Sequence, residues 1–216
     1  MKLYIYVVVF FIVYKYVMPF LRLSFENMHI RVNLKKLNHK NYRIIQNVSL
    51  PEYHVHKLKN GEMVPYSATG QNLFIDYLIV SKYGIFLIKL LNLKHRFSGL
   101  KGREHGENWT WTRFSSIRLP LVPGLGDTHI KVRNPLIEAQ LFSVSLKKHV
   151  HPIEKRIPFH PIVIIIPKIK TANLYNNQAD VTFYHSLLRM IEQYKDVALN
   201  DDEIDNIYQN IMKVCK

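Results

Sequence analysis

Asp76 and Lys89 are the two residues of this chain whose types and spacing suggest joint chemistry. Each lies in an apolar run, 73–81 and 85–91, and the runs are joined by Lys82-Tyr83-Gly84, a tight turn in which glycine can take positive φ. Neighbouring strands joined in this way bring the carboxylate and the ammonium to about one strand width. An ammonium pairs with a carboxylate and repels a divalent cation, so Lys89 is expected to pair with Asp76, supplying charge without Lewis acidity. Leu91 points to the same side of its strand as Lys89 and adds no second basic group there.

Lys89 also opens a basic run. Lys94, Arg96, Lys101 and Arg103 follow before any acid, with Phe97 and then Trp109 and Trp111 nearby. Cations that neutralise phosphates, together with aromatics, suit sequence-independent binding of DNA or RNA, and the same charge suits anionic lipid headgroups. His54 and His56 share a strand face, while His149, His151 and His160 lie close in sequence. His-x-His can hold zinc, but with no cysteine near and no histidine pair at helical spacing these read as surface or satisfied histidines. Gly99, Gly102 and Gly106 do not have dinucleotide or P-loop spacing, and no nucleophile elbow supports a hydrolase triad.

The elements that would position these residues alternate between strand and helix. Residues 23–37 carry Leu23, Ile30, Leu34 and Leu37 at helical spacing. A strand over 42–50 is expected to stop at Pro51, and Asn60-Gly61 between extended runs marks a hairpin. Trp109-Thr110-Trp111-Thr112 alternates as another strand, and 115–134 reads as an irregular loop. Pro135 suits the first position of a helix reaching about residue 150. Ile162 to Ile166 reads as a central strand buried on both faces. A helix over about 184–194 follows, and the last helix has Asn200 as N-cap, Glu203 three residues on, and Leu199 placed to staple Ile204. The fold class is therefore α/β, a mixed central sheet flanked by helices.

Three segments in order, Phe74-Ile75-Asp76-Tyr77, Tyr83-Gly84-Ile85-Phe86-Leu87-Ile88-Lys89-Leu90-Leu91-Asn92 and Asn134-Pro135, resemble the nuclease-related domain (NERD) family of the PD-(D/E)XK nuclease-like superfamily. The resemblance covers roughly residues 24–213 and implies a restriction-endonuclease-like fold. In that family the second segment reads Gly-Ile-Phe-Val-Ile-Glu-x-Lys-Asn. Its Glu and Lys sit in a Mg²⁺-dependent active site, where carboxylates hold the metal against the scissile phosphate. Here the Glu place is Lys89 and the Lys place is Leu91. Asp76 fills the family's first carboxylate, with Phe74 and Tyr77 in place of its Gln and His. Glu26, in Ser24-Phe25-Glu26, matches the Gly-Glu of the family's first helix without the glycine. Asp76 and Glu26 thus read as remnants of a catalytic set that is degenerate at Lys89 and Leu91. No metal or other cofactor is expected unless a displaced carboxylate such as Glu104, Glu107 or Asp127 restores a Mg²⁺ site.

The chain has 216 residues, enough for one ordinary domain with a small appendage, and a formal net charge of +14. That excess concerns partners rather than fold: nucleic acid, anionic lipid or an acidic protein. Cys215 is the only cysteine, so no disulfide staples the domain. Residues 3–21 form an apolar run with one charge, Lys15, and as a helix would be about 28 Å long, close to a bilayer's hydrocarbon thickness. The expected domains are therefore a transmembrane anchor over 1–22 and a NERD-like domain over 23–216. Eight basic groups in 22–60, against Glu26 and Glu52, place the body of a single-pass protein in the cytoplasm. The function expected from all this is a membrane-anchored, catalytically degenerate nuclease-fold module that binds nucleic acid or a partner near the membrane. The alternatives are an active Mg²⁺-dependent nuclease with displaced ligands, and a tethered protein-interaction domain without nucleic-acid binding.

Overall fold

The two runs richest in aliphatic residues, 85–91 and 162–166, become neighbouring parallel strands, and the main sheet is built around them. The structure, a computed structural model, describes residues 2–37, 41–59, 63–92, 99–103, 108–113, 128–149, 157–166, 172–175 and 181–214. A long helix α1 (Lys2–Lys35) leads into strands β1 (Tyr42–Lys57), β2 (Met63–Ser81) and β3 (Gly84–Asn92). Three shorter strands follow, β4 (Gly99–Arg103), β5 (Asn108–Arg113) and β6 (Thr128–Arg133), then helix α2 (Pro135–His149). The chain continues through β7 (Phe159–Ile166), β8 (Ala172–Tyr175), β9 (Val181–Phe183), a 3₁₀ turn at Tyr184–Ser186, α3 (Leu187–Glu192) and α4 (Asp201–Val214).

The main sheet has the order β1-β2-β3-β7-β9, with the first two pairings antiparallel and the last two parallel. A second sheet runs β6-β5-β4-β8. The expected mixed sheet flanked by helices is therefore present. On one face, Ile45, Leu78, Val80, Ile85 and Leu87 pack with Ala139, Phe142 and Leu146 of α2 and Ile204, Ile207 and Ile211 of α4. On the other, Tyr77, Ile79, Phe86, Ile88, Ile162 and Ile164 pack with Ile30 and Leu34 of α1 and Leu187, Met190 and Ile191. Val163 and Ile165 face a third cluster with Leu136 and Trp109, so both faces of β7 are covered, as the unbroken apolar run implies.

Corrections to the sequence reading have local causes. β1 passes through Pro51 instead of stopping there, because β1 is an edge strand and proline's missing N–H costs no ladder bond on the open side. Within the expected loop over 115–134, residues 128–133 form β6, paired with β5 from Thr128↔Arg113 to Arg133↔Asn108. The expected helix over 23–37 is the last part of α1, a single 34-residue helix that passes without a break through residue 22. Among the described residues no helix is long and apolar enough to cross a membrane, so the transmembrane anchor over 3–21 and the single-pass localisation drawn from it are set aside. The apolar run carries Tyr4, Tyr6, Tyr14, Lys15 and Tyr16, all costlier in hydrocarbon than aliphatic residues. The helix then continues through Arg22, Arg31 and Lys35 to dock Ile30 and Leu34 on the sheet.

The last helix starts as its cap signal implies. Asn200 Oδ1 accepts the Glu203 N–H at 2.8 Å and Glu203 Oε2 accepts the Asn200 N–H at 2.8 Å, while Leu199 and Ile204 share one core.

The turn between β2 and β3 is tight against the rest of the domain. Gly84 has φ +120°, and a Cβ there would stand 2.5 Å from the Pro158 carbonyl oxygen. Gly84→Ala therefore combines backbone strain with a backbone clash and is expected to lower stability by about 1–3 kcal/mol, read from the urea midpoint. Gly70→Ala also demands positive φ, +79°, but meets nothing within 4 Å, and should cost clearly less.

Candidate functional site

Strands β2 and β3 pair from Ser81↔Gly84 to Tyr77↔Ile88, and there the ladder ends. β2 changes face at that point. Residues three apart on a regular strand face opposite sides, yet Ile75 and Leu78 share one core, as do Ile45 and Val48 across from them. On β1 the change falls at Asn47, which holds φ 55°, a left-handed conformation that asparagine tolerates. Asp76 stands opposite, between Ile75 and Tyr77, where β2 leaves β3 and continues with β1 alone.

Side chains close the fork that results. Asp76 Oδ2 accepts the Leu90 N–H at 2.6 Å, so a carboxylate oxygen serves a backbone donor that the ladder no longer reaches. From the other strand, Lys89 Nζ donates to the Phe74 carbonyl at 2.8 Å. The same ammonium lies 3.2 Å from Glu138 Oε2, with about a fifth of each side chain exposed. Its ion-pair partner is therefore Glu138 rather than Asp76, the partner expected from strand spacing. Lys89 still acts on Asp76 through space. Burial raises the Asp76 carboxyl above its ordinary value, the Leu90 N–H and the Lys89 charge pull it down, and Glu138 pushes it up.

Glu138 is placed by the start of α2. Asn134 is buried and caps the helix, its Oδ1 accepting the Leu136 N–H at 3.0 Å and its carbonyl accepting the Glu138 N–H at 3.1 Å. Pro135 takes the first helical position, as expected. An acid in the first turn also meets the favourable end of the helix dipole. Just before the cap, Arg133 pairs with Glu52 of β1, a side chain only 8% exposed. That pair ties the second sheet to the first beside the fork.

Glu138 and Arg133 were not singled out from the sequence. The available signal was an acid beside Ala139, a fully buried residue on the face of α2 that meets the sheet. On the β3 face, Leu91 follows Lys89 and packs with Trp109, Leu136, Val163 and Ile165. Trp109 is completely buried, so of the aromatics noted beside the basic run this one is core and offers no face to a ligand. Its Nε1 has no hydrogen-bond partner among the described residues.

Most of the other residues singled out earlier lie wholly or in part outside the described residues. Glu26 lies on α1 with its side chain outside the described residues, as are Lys94, Arg96, Glu104, Glu107 and Asp127 entirely. Lys101 and Arg103 lie on β4, whose pairing with β5 and β8 is described and whose side chains are not. His149 Nε2 contacts the Tyr53 hydroxyl at 2.9 Å, whereas His160 Nε2 contacts the Tyr83 carbonyl at 3.0 Å, so these two serve separate partners. Among the described residues no three His, Cys, Asp or Glu side chains form a group able to hold a metal.

With this geometry in hand, comparison with known proteins is direct. Residues 24–166 match the family described as nuclease-related domain. The chain belongs to the nuclease-related domain family. Its match begins within α1 and ends with β7, so it takes in β2, β3, the cap of α2 and the whole fork. An uncharacterised protein of Bacillus anthracis is 27% identical over 183 residues, which cover 83% of this chain and 70% of that protein. No solved structure matches the chain at comparable significance.

The Mg²⁺ implied by the family can be tested against this donor set, and the residues do not fit it. One oxygen of Asp76 is held by a backbone N–H, and the Lys89 ammonium stands at the same fork, paired with Glu138. A divalent cation needs oxygens there and meets a fixed positive charge instead.

The raised Asp76 carboxyl sets a pH dependence. Its folded form binds the proton more tightly than the unfolded chain, so this group's contribution falls as pH rises from the ordinary carboxylate value through the raised one. Asp76→Asn removes that titration. Subtracting the variant's urea-derived stability from the wild type's at each pH is expected to leave a difference that declines through this window and is flat above it. A difference that rises through the window would mean the carboxylate is stabilised by its surroundings.

Proposed function

We propose that this nuclease-related domain, residues 23–216 acting as one unit, binds nucleic acid without cleaving it, Lys89 standing in for the metal of the active relatives. The observation that carries the reading is the Lys89 ammonium between the Phe74 carbonyl and Glu138, on the strand position where the family places a metal-binding carboxylate. An ammonium supplies the electrostatic part of the ion's role and none of its Lewis acidity, and it generates no metal-bound hydroxide. Leu91 supports the same conclusion, because a hydrocarbon side chain packed under Trp109 has no proton to move. The net charge of +14 supports phosphate as the ligand, with Lys94, Arg96, Lys101 and Arg103 as contacts that neutralise a backbone irrespective of sequence.

A second reading draws on Glu138. Asp76 and Glu138 both flank Lys89, so two carboxylates converge on the fork. A nuclease with a displaced ligand would use that pair after moving the lysine out.

The two readings separate in one series. The natural protein is expected to cleave neither DNA nor RNA with Mg²⁺ or Mn²⁺, and these ions should leave its melting temperature unchanged, since only a ligand that binds the folded state raises it. Lys89→Glu should introduce an upward shift of melting temperature with either ion. Adding Leu91→Lys tests for recovered cleavage, at some cost from burying an amine beside Trp109. Metal-dependent cleavage by the unmodified protein, lost on Asp76→Ala, would sink the non-cleaving reading in favour of the second. Fluorescence anisotropy at low salt should show binding of short oligonucleotides that weakens steeply as salt rises, and Lys101→Glu with Arg103→Glu should flatten that dependence.

A further inference from the structure

Beyond the fork, β1 and β2 leave the sheet as a two-stranded ribbon. Pairing continues from Val48↔Ile75 to Lys57↔Met63 with no third strand beside it among the described residues, a length of about 30 Å at the usual rise per residue. Its root is fastened to α2 and its neighbour β6. Ser145 Oγ donates to the Pro51 carbonyl at 2.6 Å, the Tyr53 hydroxyl meets His149 Nε2 at 2.9 Å, Lys148 Nζ lies 3.9 Å from the Tyr53 ring centroid, and Glu52 pairs with Arg133. The ribbon is thus an arm with a fixed direction rather than a loose hairpin.

Its outer part carries a stack of rings. His54 pairs with Ser67 and Val55 with Pro65, which leaves Tyr66 as the extra residue of a bulge. Bulges re-aim side chains. Tyr66 lies with its ring 4.2 Å from that of His56 and 5.7 Å from that of His54, at interplanar angles of 21° and 26°. It remains 56% exposed, a large outlay of aromatic surface for a side chain that supports no core. His54 and His56 are therefore both in ring contact with Tyr66.

Among the described residues, the exposed charges around this stack are cationic. Lys57 and Lys59 are exposed near the outer end, Lys148 lies over the Tyr53 ring at the root, and the only acid among the described residues of the ribbon, Glu52, is buried and paired with Arg133. Phe74, 58% exposed, stands at the root, its carbonyl held by Lys89.

We propose that this ribbon is a stacking arm for unpaired bases, so that the ligand of the domain is a single strand of DNA or RNA lying along β1 and β2 with a base against the Tyr66 ring. This deepens the nucleic-acid reading above and rests on it. Flat, partly exposed rings among cations match a single strand, whose bases offer open faces and whose phosphates take the lysines. A duplex hides its base faces in the stack and has no use for Tyr66.

The test uses the full chain with labelled fifteen-nucleotide oligo-dT and oligo-U, and a duplex of the same length, followed by fluorescence anisotropy across a salt series. Tyr66→Ala is expected to weaken single-strand binding about fivefold or more with the salt slope unchanged, because a stacking contact is lost and no phosphate contact is. Tyr66→Phe should bind like the natural protein. Lys57→Gln with Lys59→Gln should instead reduce the slope of log affinity against log salt by about 1.4, the amount for two phosphate contacts to a single strand. Whichever oligonucleotide binds more tightly identifies the sugar that is preferred. An unchanged melting temperature for Tyr66→Ala secures the comparison. If Tyr66→Ala binds single strands as tightly as the natural protein while the lysine variant is weakened, the arm is overturned and the broader nucleic-acid reading stands. Equal weakening of duplex and single strand by Tyr66→Ala also overturns stacking on unpaired bases. Absence of any binding at low salt overturns both.

Discussion

Where β2 parts from β3, a carboxylate and an ammonium replace the missing rungs of the ladder, and much of the domain's geometry follows from that replacement. Asp76 takes the Leu90 N–H and Lys89 takes the Phe74 carbonyl, so two backbone groups that would otherwise be stranded at a partly buried fork are satisfied. Lys89 then needs a counter-charge, and α2 supplies it with Glu138 from a first turn fixed by the Asn134 cap and Pro135. The helix is in turn bonded to the outgoing ribbon through Ser145 and His149. One small polar cluster therefore joins the sheet, the helix that covers it and the arm that leaves it.

The fork also sets opposite charges against one another where the β2–β3 ladder ends. A metal site requires carboxylates whose charge is compensated by the ion; without an ion, two carboxylates facing one another at a half-buried position repel. Lys89 offsets part of that repulsion from within the protein, bound to Glu138 and close enough to Asp76 to lower its proton affinity. Beside it Leu91 and Trp109 belong to a packed apolar cluster with Leu136, Val163 and Ile165. Protein groups thus supply part of the charge compensation at this position.

The main sheet was legible because its signals are local or periodic. Continuous aliphatic runs marked β3 as a strand and β7 as a strand covered on both faces, Gly84 marked the turn between β2 and β3, and Asn200 with Glu203 marked the start of α4. The features misread were those set by neighbours. Pro51 stops a strand only if its missing N–H is needed, and whether β1 lies at an edge is a property of the sheet. Trp109 beside a basic run resembles a ligand-stacking aromatic until β5 is seen to lie over Leu91 and Val163. The apolar N-terminal run resembled an isolated span, whereas it continues into the same helix whose far end docks on the core.

By itself the sequence determined the α/β class, the membership in a nuclease-related family and the presence of Lys89 and Leu91 at its signature strand, because residue type and spacing along one chain carry that information. It also implied that Asp76 and Lys89 would be close, since the tight turn Lys82-Tyr83-Gly84 brings adjacent strands together. Tertiary structure alone decided what each of them holds. Glu138 is forty-nine residues beyond Lys89 in the sequence and reaches it only because α2 packs across β2 and β3. The bulge that turns Tyr66 outward against two histidines arises from the register between β1 and β2. Pairing across a sheet depends on where strands separate and slip, and that is settled by the packing of the whole domain rather than by any one segment.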